Sequence, residues 1–157
     1  MKSKVFVPIL AILLGTVVAV GVSAQSNERL DELLNQDPAT SGHAAYLVLT
    51  AAGQVEESVS PEEAFRAARQ QGLFPADATA DGPITFGRYS YLLMETFGVP
   101  GGVMYRIFPG PRYAAREVVY KGWSRTRRSP GQEVTGDAVA RILSVYLNTR
   151  AQQGGAR

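Results

Sequence analysis

Three segments of the chain repeat one spacing of apolar positions, at intervals of three and four residues. In the middle segment these positions are Tyr89, Leu92, Leu93 and Phe97. Such a spacing places the apolar side chains on one face of an α-helix. Each segment opens with a threonine, whose hydroxyl can accept a hydrogen bond from a free amide of the first helical turn. The pattern therefore predicts three helices, which start at Thr40, Thr85 and Thr135.

The stretch from Tyr46 to Thr50 has the β-branched and aromatic composition of a strand. It lies inside the first of the threonine-led segments, however, and its apolar positions continue the helical spacing. We therefore expect it to be helical and strand content to be negligible. The fold class predicted from the sequence is all-α.

A shorter amphipathic segment precedes each of these helices and predicts a partner helix. The partner helices begin at Ser26, at the capping box Ser60–Glu63 and at Pro111. Gly72 and Gly122 follow the second and third of them, at the position where a helix commonly ends in a left-handed residue. The chain then reads as three helix–loop–helix units, at about 26–53, 60–98 and 111–149.

The three units also resemble one another residue by residue. The first and second match at a constant offset, with Tyr46 aligned to Tyr91 and Gly53 to Gly98. The second and third match at a slightly longer offset, with Ile84–Thr85 aligned to Val134–Thr135, and Leu73 to Trp123. Two alignments in one frame indicate an internal repeat, which predicts that the three helices are related by an approximate threefold rotation.

The connector Val99–Arg112, between the second and third units, is too apolar for a free loop. Glycine and proline pairs fix both of its ends. We expect its centre to form one helical turn that plugs the core between the two units. If these side chains are exposed instead, they form a patch for a protein partner. The candidate partner-binding residues are Val103, Met104, Tyr105, Ile107 and Phe108.

The first 24 residues have the pattern of a secretory signal peptide. Lys2 and Lys4 precede the uncharged stretch Val5–Val22, and the small residues of Val22–Ala24 suit signal peptidase. An uncleaved membrane anchor is the alternative, because the stretch is just long enough to span a bilayer. We expect cleavage, one exported domain at 25–150, and a disordered tail at 151–157.

The composition removes several classes of chemistry. The chain has no cysteine and a single histidine, His43, which excludes disulfides, thiolate zinc sites, thiol nucleophiles and sites that need two imidazoles. We find no nucleophile elbow and no phosphate loop, and we interpret His43 as a first-turn helix residue rather than a base. The sequence thus predicts a protein that is not an enzyme and binds no cofactor and no metal.

Charge is distributed unevenly between the two halves of the exported chain. Residues 25–95 carry 11 acidic and 4 basic side chains, whereas residues 96–157 carry 3 acidic and 10 basic. The basic half can meet an anionic surface, and its densest part runs along the third partner helix into the following loop. The candidate polymer- or anion-binding residues are Arg112, Arg116, Lys121, Trp123, Arg125, Arg127 and Arg128.

Two alternatives accompany this site. The arginines could be solvated or paired with the chain's own acidic half, and Trp123 could belong to the core, as its alignment with Leu73 suggests. The loop Asp77–Ile84, which corresponds to the basic loop, has some of the oxygen spacing of a calcium loop. Its twelfth position is Arg88, a cation where the metal needs a carboxylate, so we favour an ordinary aspartate-rich turn.

The second and third units resemble S-layer homology repeats. The segments that carry the resemblance are EAFRAARQQGLFPADATADGPITFGRYSYLLMETFG and RYAAREVVYKGWSRTRRSPGQEVTGDAVARILSVYL, and the first unit is similar to an abbreviated third repeat. The resemblance implies an all-helical, pseudo-threefold module that holds exported proteins on cell-wall polymer or peptidoglycan. The family's Thr-Arg-Ala-Glu helix start is Thr85–Arg88 here and Thr135–Ala138 in the next unit, without its arginine and glutamate. The family's polymer contacts therefore do not carry over.

These observations predict an exported envelope protein, in the periplasm or at the cell surface, that binds cell-wall polymer or organises the envelope. The alternative is an interaction or assembly factor that contacts another envelope protein through Val99–Phe108. We expect no nucleic-acid partner and no transmembrane segment in the mature chain.

Overall fold

The computed structural model describes residues 27–154, which form seven α-helices. The predicted signal peptide and the cap Ser26 lie outside these residues. The helices are α1 (27–34), α2 (Ser41–Ala51), α3 (Pro61–Gln70), α4 (Phe86–Thr96), α5 (Val103–Ile107), α6 (Pro111–Tyr120) and α7 (Gly136–Gly154). The described part of the chain contains no strand, only two isolated antiparallel bridges. The all-α prediction is confirmed, and the stretch Tyr46–Thr50 lies inside α2.

Helices α2, α4 and α7 all begin directly after a threonine. The Oγ1 atoms of Thr40, Thr85 and Thr135 accept hydrogen bonds from the amides three residues ahead, at 3.4, 3.3 and 3.3 Å. Each bond satisfies one of the amides that a helix start leaves without an intrahelical partner. The three predicted helix starts are therefore confirmed.

Four helices are followed by a glycine in the left-handed region, and for Gly72 and Gly122 this was predicted. Gly53, Gly72, Gly98 and Gly122 have φ angles between 60° and 76°. The amide after each glycine donates to the carbonyl five residues back, for example Leu73 to Ala68 at 3.1 Å and Trp123 to Val118 at 3.0 Å. These bonds close the helix ends, and they turn Leu73 and Trp123 inward as equivalent core residues.

The three residues that precede the threonines form a closed ring of backbone hydrogen bonds. The Ala39 amide donates to Val134 O at 2.8 Å, and the Ile84 amide donates to Ala39 O at 2.9 Å. The Val134 amide then closes the ring by donating to Ile84 O at 3.2 Å. All three residues are at most 2% exposed, so the ring lies in the core.

The start of each of these helices also receives a segment from elsewhere in the chain. The Phe86 and Gly87 amides donate to Gln132 O and Pro130 O at 2.7 and 2.8 Å. In the same way, the α2 amides bond to the loop that precedes α4. The Gly136 amide bonds to Gln36 O at 2.9 Å, in the connection that follows α1. The loops are thus held in place by backbone hydrogen bonds to helix starts.

The connector before α6 differs from the expectation. It forms one helical turn, α5, as predicted, but the prediction that it plugs the core is wrong. A helix of five residues presents little more than one side chain to the body of the protein, and here that residue is Tyr105, which is 5% exposed. The other four predicted contact residues point outward and are exposed: Val103, Met104, Ile107 and Phe108.

The last helix is longer than the sequence suggests. The prediction places a disordered tail at 151–157, whereas α7 continues to Gly154, and residues 155–157 lie outside the described part. The 19 residues of α7 include Asp137, Arg141 and Arg150, which make it too polar for the interior of a bilayer. Within residues 27–154 no helix is both long enough and apolar enough to span a membrane.

Replacing Gly136 by alanine tests how tightly the helix starts are packed. A methyl group there would overlap the Leu33 carbonyl oxygen, whereas one at Gly131 would meet nothing within 4 Å. We expect Gly136→Ala to lower the free energy of unfolding by about 2–3 kcal/mol, because the backbone has to shift to make room. Gly131→Ala should change it by less than about 0.5 kcal/mol. Urea denaturation of both variants measures the difference, and equal midpoints would contradict the packing.

Candidate functional site: an arginine-lined groove

A groove of about 780 Å³ runs between α6 and the loop that follows it. Four arginines, one tyrosine and one serine provide its polar lining, and apolar side chains provide the rest. The lining residues are Arg112, Ala115, Arg116, Val119, Tyr120, Arg127, Arg128, Ser129 and Pro130. None of these nine carries a carboxylate, so the net charge of the lining is positive. We call it the arginine groove.

The local sequence explains how the arginine groove forms. Arg112, Arg116 and Tyr120 are spaced four residues apart in α6, which places them in one stripe on the exposed side of the helix. Gly122 follows the end of α6 and reverses the direction of the chain. The chain then runs back toward α4, where Pro130 O and Gln132 O accept hydrogen bonds from its first amides. This return brings Arg127 and Arg128 opposite the α6 stripe.

The arginines of the groove are not neutralised within the described chain. Among residues 27–154 a carboxylate lies within 4 Å of a basic side chain only in the pairs Glu32–His43 and Asp137–Arg141. No side-chain hydrogen bond within these residues involves Arg112, Arg127 or Arg128, and Arg116 lies 5.7 Å from the ring centre of Tyr113. The predicted alternative, in which these arginines pair with the acidic half, is therefore wrong for these residues. Their guanidinium groups remain available to an external anion.

Tyr120 is the aromatic residue of the groove, and it is not among the predicted anion-binding residues. Its side chain is 87% exposed, the largest exposure among the bulky apolar and aromatic residues in 27–154. An exposed aromatic ring among arginines offers a flat surface for a sugar or another ring. Its position four residues after Arg116 was the signal that could have identified it.

The other three predicted anion-binding residues lie outside the arginine groove. Trp123 is 6% exposed and packs edge-on against Tyr146, with ring centres 4.7 Å apart. Lys121 Nζ lies 5.8 Å from the Trp123 ring centre. Arg125 lines a smaller pocket of about 250 Å³ beside the start of α7, which it shares with Arg128. Trp123 is thus principally a core residue, consistent with its alignment with Leu73.

The predicted partner-binding residues lie next to the arginine groove. The Phe108 ring stacks on Tyr113 at 6.5 Å, and Arg116 covers Tyr113 in turn. Tyr105 is the exception, because its buried hydroxyl donates to Glu95 Oε1 at 2.5 Å. Burial, together with this carboxylate, raises the pKa of Tyr105 well above its ordinary value, so the phenol keeps its proton.

The acidic loop that corresponds to the basic loop is closed by an arginine. Arg88 donates from Nη1 to Leu73 O at 3.1 Å and lies 5.8 Å from the Tyr91 ring centre. Partial burial lowers the pKa of Arg88 from its usual value, although the group stays charged at neutral pH. Within residues 27–154 no three carboxylate or imidazole side chains gather closely enough to hold a metal ion.

His43 lies in the first turn of α2, as the sequence predicts. Its Nδ1 atom is 2.9 Å from both Thr40 Oγ1 and Gln36 Nε2, and its Nε2 atom is 3.2 Å from Glu32 Oε2. The ring therefore connects the helix cap to the turn after α1, where Gln36 also accepts the Gly136 amide.

No family model, curated protein or solved structure matches the chain. We therefore argue its function from its own residues, beginning with the arginine groove.

A pair of arginine variants distinguishes the free groove from the closed acidic loop. We expect Arg127→Ala combined with Arg128→Ala to leave the free energy of unfolding within about 0.5 kcal/mol of wild type. Arg88→Ala should lower it by about 1–2 kcal/mol, because the Leu73 carbonyl loses its charged donor. Thermal and urea denaturation give both values. A strongly destabilised double variant would mean that the groove arginines are structural.

Proposed function

We propose that this chain is an exported, non-enzymatic envelope protein whose arginine groove binds an anionic cell-wall polymer. The observation that carries the proposal is the set of four arginines that line one groove without a carboxylate partner in the described chain. Charged groups of one sign in a concave site attract and concentrate ligands of the opposite sign. Polymer binding is the role that best accounts for this arrangement.

The chemistry of the groove suits the repeating groups of such polymers. A guanidinium presents paired N–H donors that match the geometry of a carboxylate or a phosphate. Peptidoglycan peptides carry carboxylates, and other wall polymers carry phosphates. The exposed Tyr120 ring adds a surface on which a sugar face can pack.

A long polymer also compensates for the weakness of each exposed contact. A single exposed ion pair contributes at most about 1 kcal/mol and is screened by salt. Repeated anionic groups on one strand can engage several arginines, so that each further contact forms at a high effective concentration. The binding we propose is therefore multivalent and sensitive to ionic strength.

The fold supports an S-layer-homology-like arrangement of three units. The equivalent threonine caps, the matched glycine helix ends and the ring through Ala39, Ile84 and Val134 are the features that a cyclic repeat requires. Repeats of this kind are associated with attachment to the cell wall. We propose the pseudo-threefold arrangement on this basis, with the first unit as the abbreviated member.

Export is the remaining part of the proposal, and it rests on the signal-peptide pattern of residues 1–24. An exported chain would reach the compartment that contains cell-wall polymer, the periplasm or the cell surface. The absence of cysteine suits either place, because the fold does not depend on redox conditions.

Co-sedimentation with purified peptidoglycan tests the proposal. We expect wild type to pellet with the polymer at low salt and to be released as salt rises, because exposed charge contacts are screened. The double variant Arg127→Ala/Arg128→Ala should bind about three- to tenfold more weakly. The control Arg66→Ala/Arg150→Ala removes the same charge from exposed positions outside the groove and should bind like wild type.

Two results would contradict polymer binding in the groove. In the first, wild type does not sediment with peptidoglycan or with an anionic wall polymer at any salt concentration. In the second, the control loses as much affinity as the groove variant, which would attribute binding to overall charge.

A further inference from the structure

Helix α5 carries a compact group of exposed apolar side chains, which we call the α5 knob. Val103, Met104, Ile107 and Phe108 are 63%, 48%, 59% and 59% exposed. Four of the seven large hydrophobic residues exposed in residues 27–154 thus fall within six consecutive positions. Scattered apolar residues are normal on a protein surface, but a contiguous group of this kind marks a binding surface.

The fold holds the α5 knob away from the core. Tyr105 is the only buried residue of α5. The hydrogen bond from its hydroxyl to Glu95 fixes α5 to α4. The Tyr105 ring lies directly against Gly101, where a side chain would collide with it. The segment Pro109–Pro111 then turns the chain into α6. These contacts of Tyr105 fix the orientation of α5, and the four apolar side chains of the knob therefore point outward.

Basic residues predominate in the segment that contains the α5 knob. Residues 103–130 contain seven basic side chains and one acidic side chain. The acidic one, Glu117, lies beside Gly102 at the start of α5. Arg106 is on α5 itself, and the stack of Phe108, Tyr113 and Arg116 connects the knob to the arginine groove. The apolar side chains of the knob therefore belong to a segment with a net charge of plus six, and Arg106 and Arg116 are the basic residues that the structure places nearest to them.

We propose that the α5 knob inserts into the surface of an anionic phospholipid membrane. An interfacial site buries apolar side chains just below the headgroups while basic residues contact the anionic headgroups above them. The knob supplies the first component, and Arg106, Arg112 and Arg116 supply the second. The attachment is peripheral, and it goes beyond the proposed polymer binding, which does not use the knob.

A second copy of the chain and a polysaccharide both suit this surface less well than an anionic membrane does. Two copies that meet knob to knob would bring the arginines beside each knob, Arg106 and Arg116, close to those of the other copy, which is unfavourable. A polysaccharide offers no apolar volume to receive Ile107 and Phe108. An anionic lipid surface offers both an apolar interior and negative charge.

Vesicle flotation tests the proposal with the full-length chain and with two matched pairs of substitutions. We expect wild type to float with vesicles of phosphatidylglycerol and phosphatidylcholine at low salt, and to bind vesicles of phosphatidylcholine alone far more weakly. Ile107→Ser/Phe108→Ser should reduce partitioning by at least about tenfold, because apolar area is no longer buried in the bilayer. Val103→Ser/Met104→Ser provides a second pair on the same knob.

The control pair is Leu30→Ser/Leu34→Ser, which alters the two exposed leucines of α1 and should leave partitioning unchanged. Circular dichroism confirms that each variant is folded. The knob variants should still sediment with peptidoglycan, so failure of lipid binding and failure of polymer binding are separate results.

Three outcomes would overturn the proposal. The first is wild-type protein that does not bind phosphatidylglycerol vesicles. The second is vesicle binding that both knob variants retain in full. The third is a dimer or a complex with another protein that the knob substitutions abolish while no vesicle binding occurs, which would assign the surface to a protein partner.

Discussion

The ring of backbone hydrogen bonds through Ala39, Ile84 and Val134 is the constraint on which the other contacts depend. Each of these residues is buried, so an amide or carbonyl without a partner there would cost about 1–3 kcal/mol. Each finds its partner on a different part of the chain, and the ring closes only when all three parts are present. The threonine caps follow directly from it, because each threonine is the next residue along the chain.

The ring also determines where the positive charge lies. The basic loop is held by Pro130 and Gln132, whose carbonyls accept the first amides of α4, and by Val134 in the ring. Within residues 27–154 no side-chain hydrogen bond of Arg127 or Arg128 adds to this anchoring. The contrast with Arg88 is instructive, since that arginine closes its own loop through the Leu73 carbonyl and has little freedom left for a ligand. The arginine next to the acidic loop is therefore held by a backbone carbonyl, whereas Arg127 and Arg128 make no side-chain hydrogen bond within residues 27–154.

Sequence reasoning succeeded where the determining interaction is local. The helix starts at Thr40, Thr85 and Thr135 and the ends at Gly72 and Gly122 depend on neighbours within a few residues, so spacing and residue type were enough. The groove was only partly predictable, because bringing Arg127 and Arg128 opposite α6 requires a long-range backbone contact. The α5 knob was misjudged for a different reason. Apolar composition predicts burial. Only one side of a five-residue helix contacts the core, however, so most of its side chains stay exposed.

The buried helix starts of this chain do not accommodate the Thr-Arg-Ala-Glu start that is typical of S-layer homology repeats. The two positions that carry arginine in the Thr-Arg-Ala-Glu pattern are Phe86, whose ring is fully buried, and Gly136. Any side chain at Gly136 would overlap the Leu33 carbonyl oxygen, so an arginine there is incompatible with the observed packing. For the polymer binding that we propose, the basic groups therefore come from another surface. Helix α6 and its following loop supply four such groups in the arginine groove.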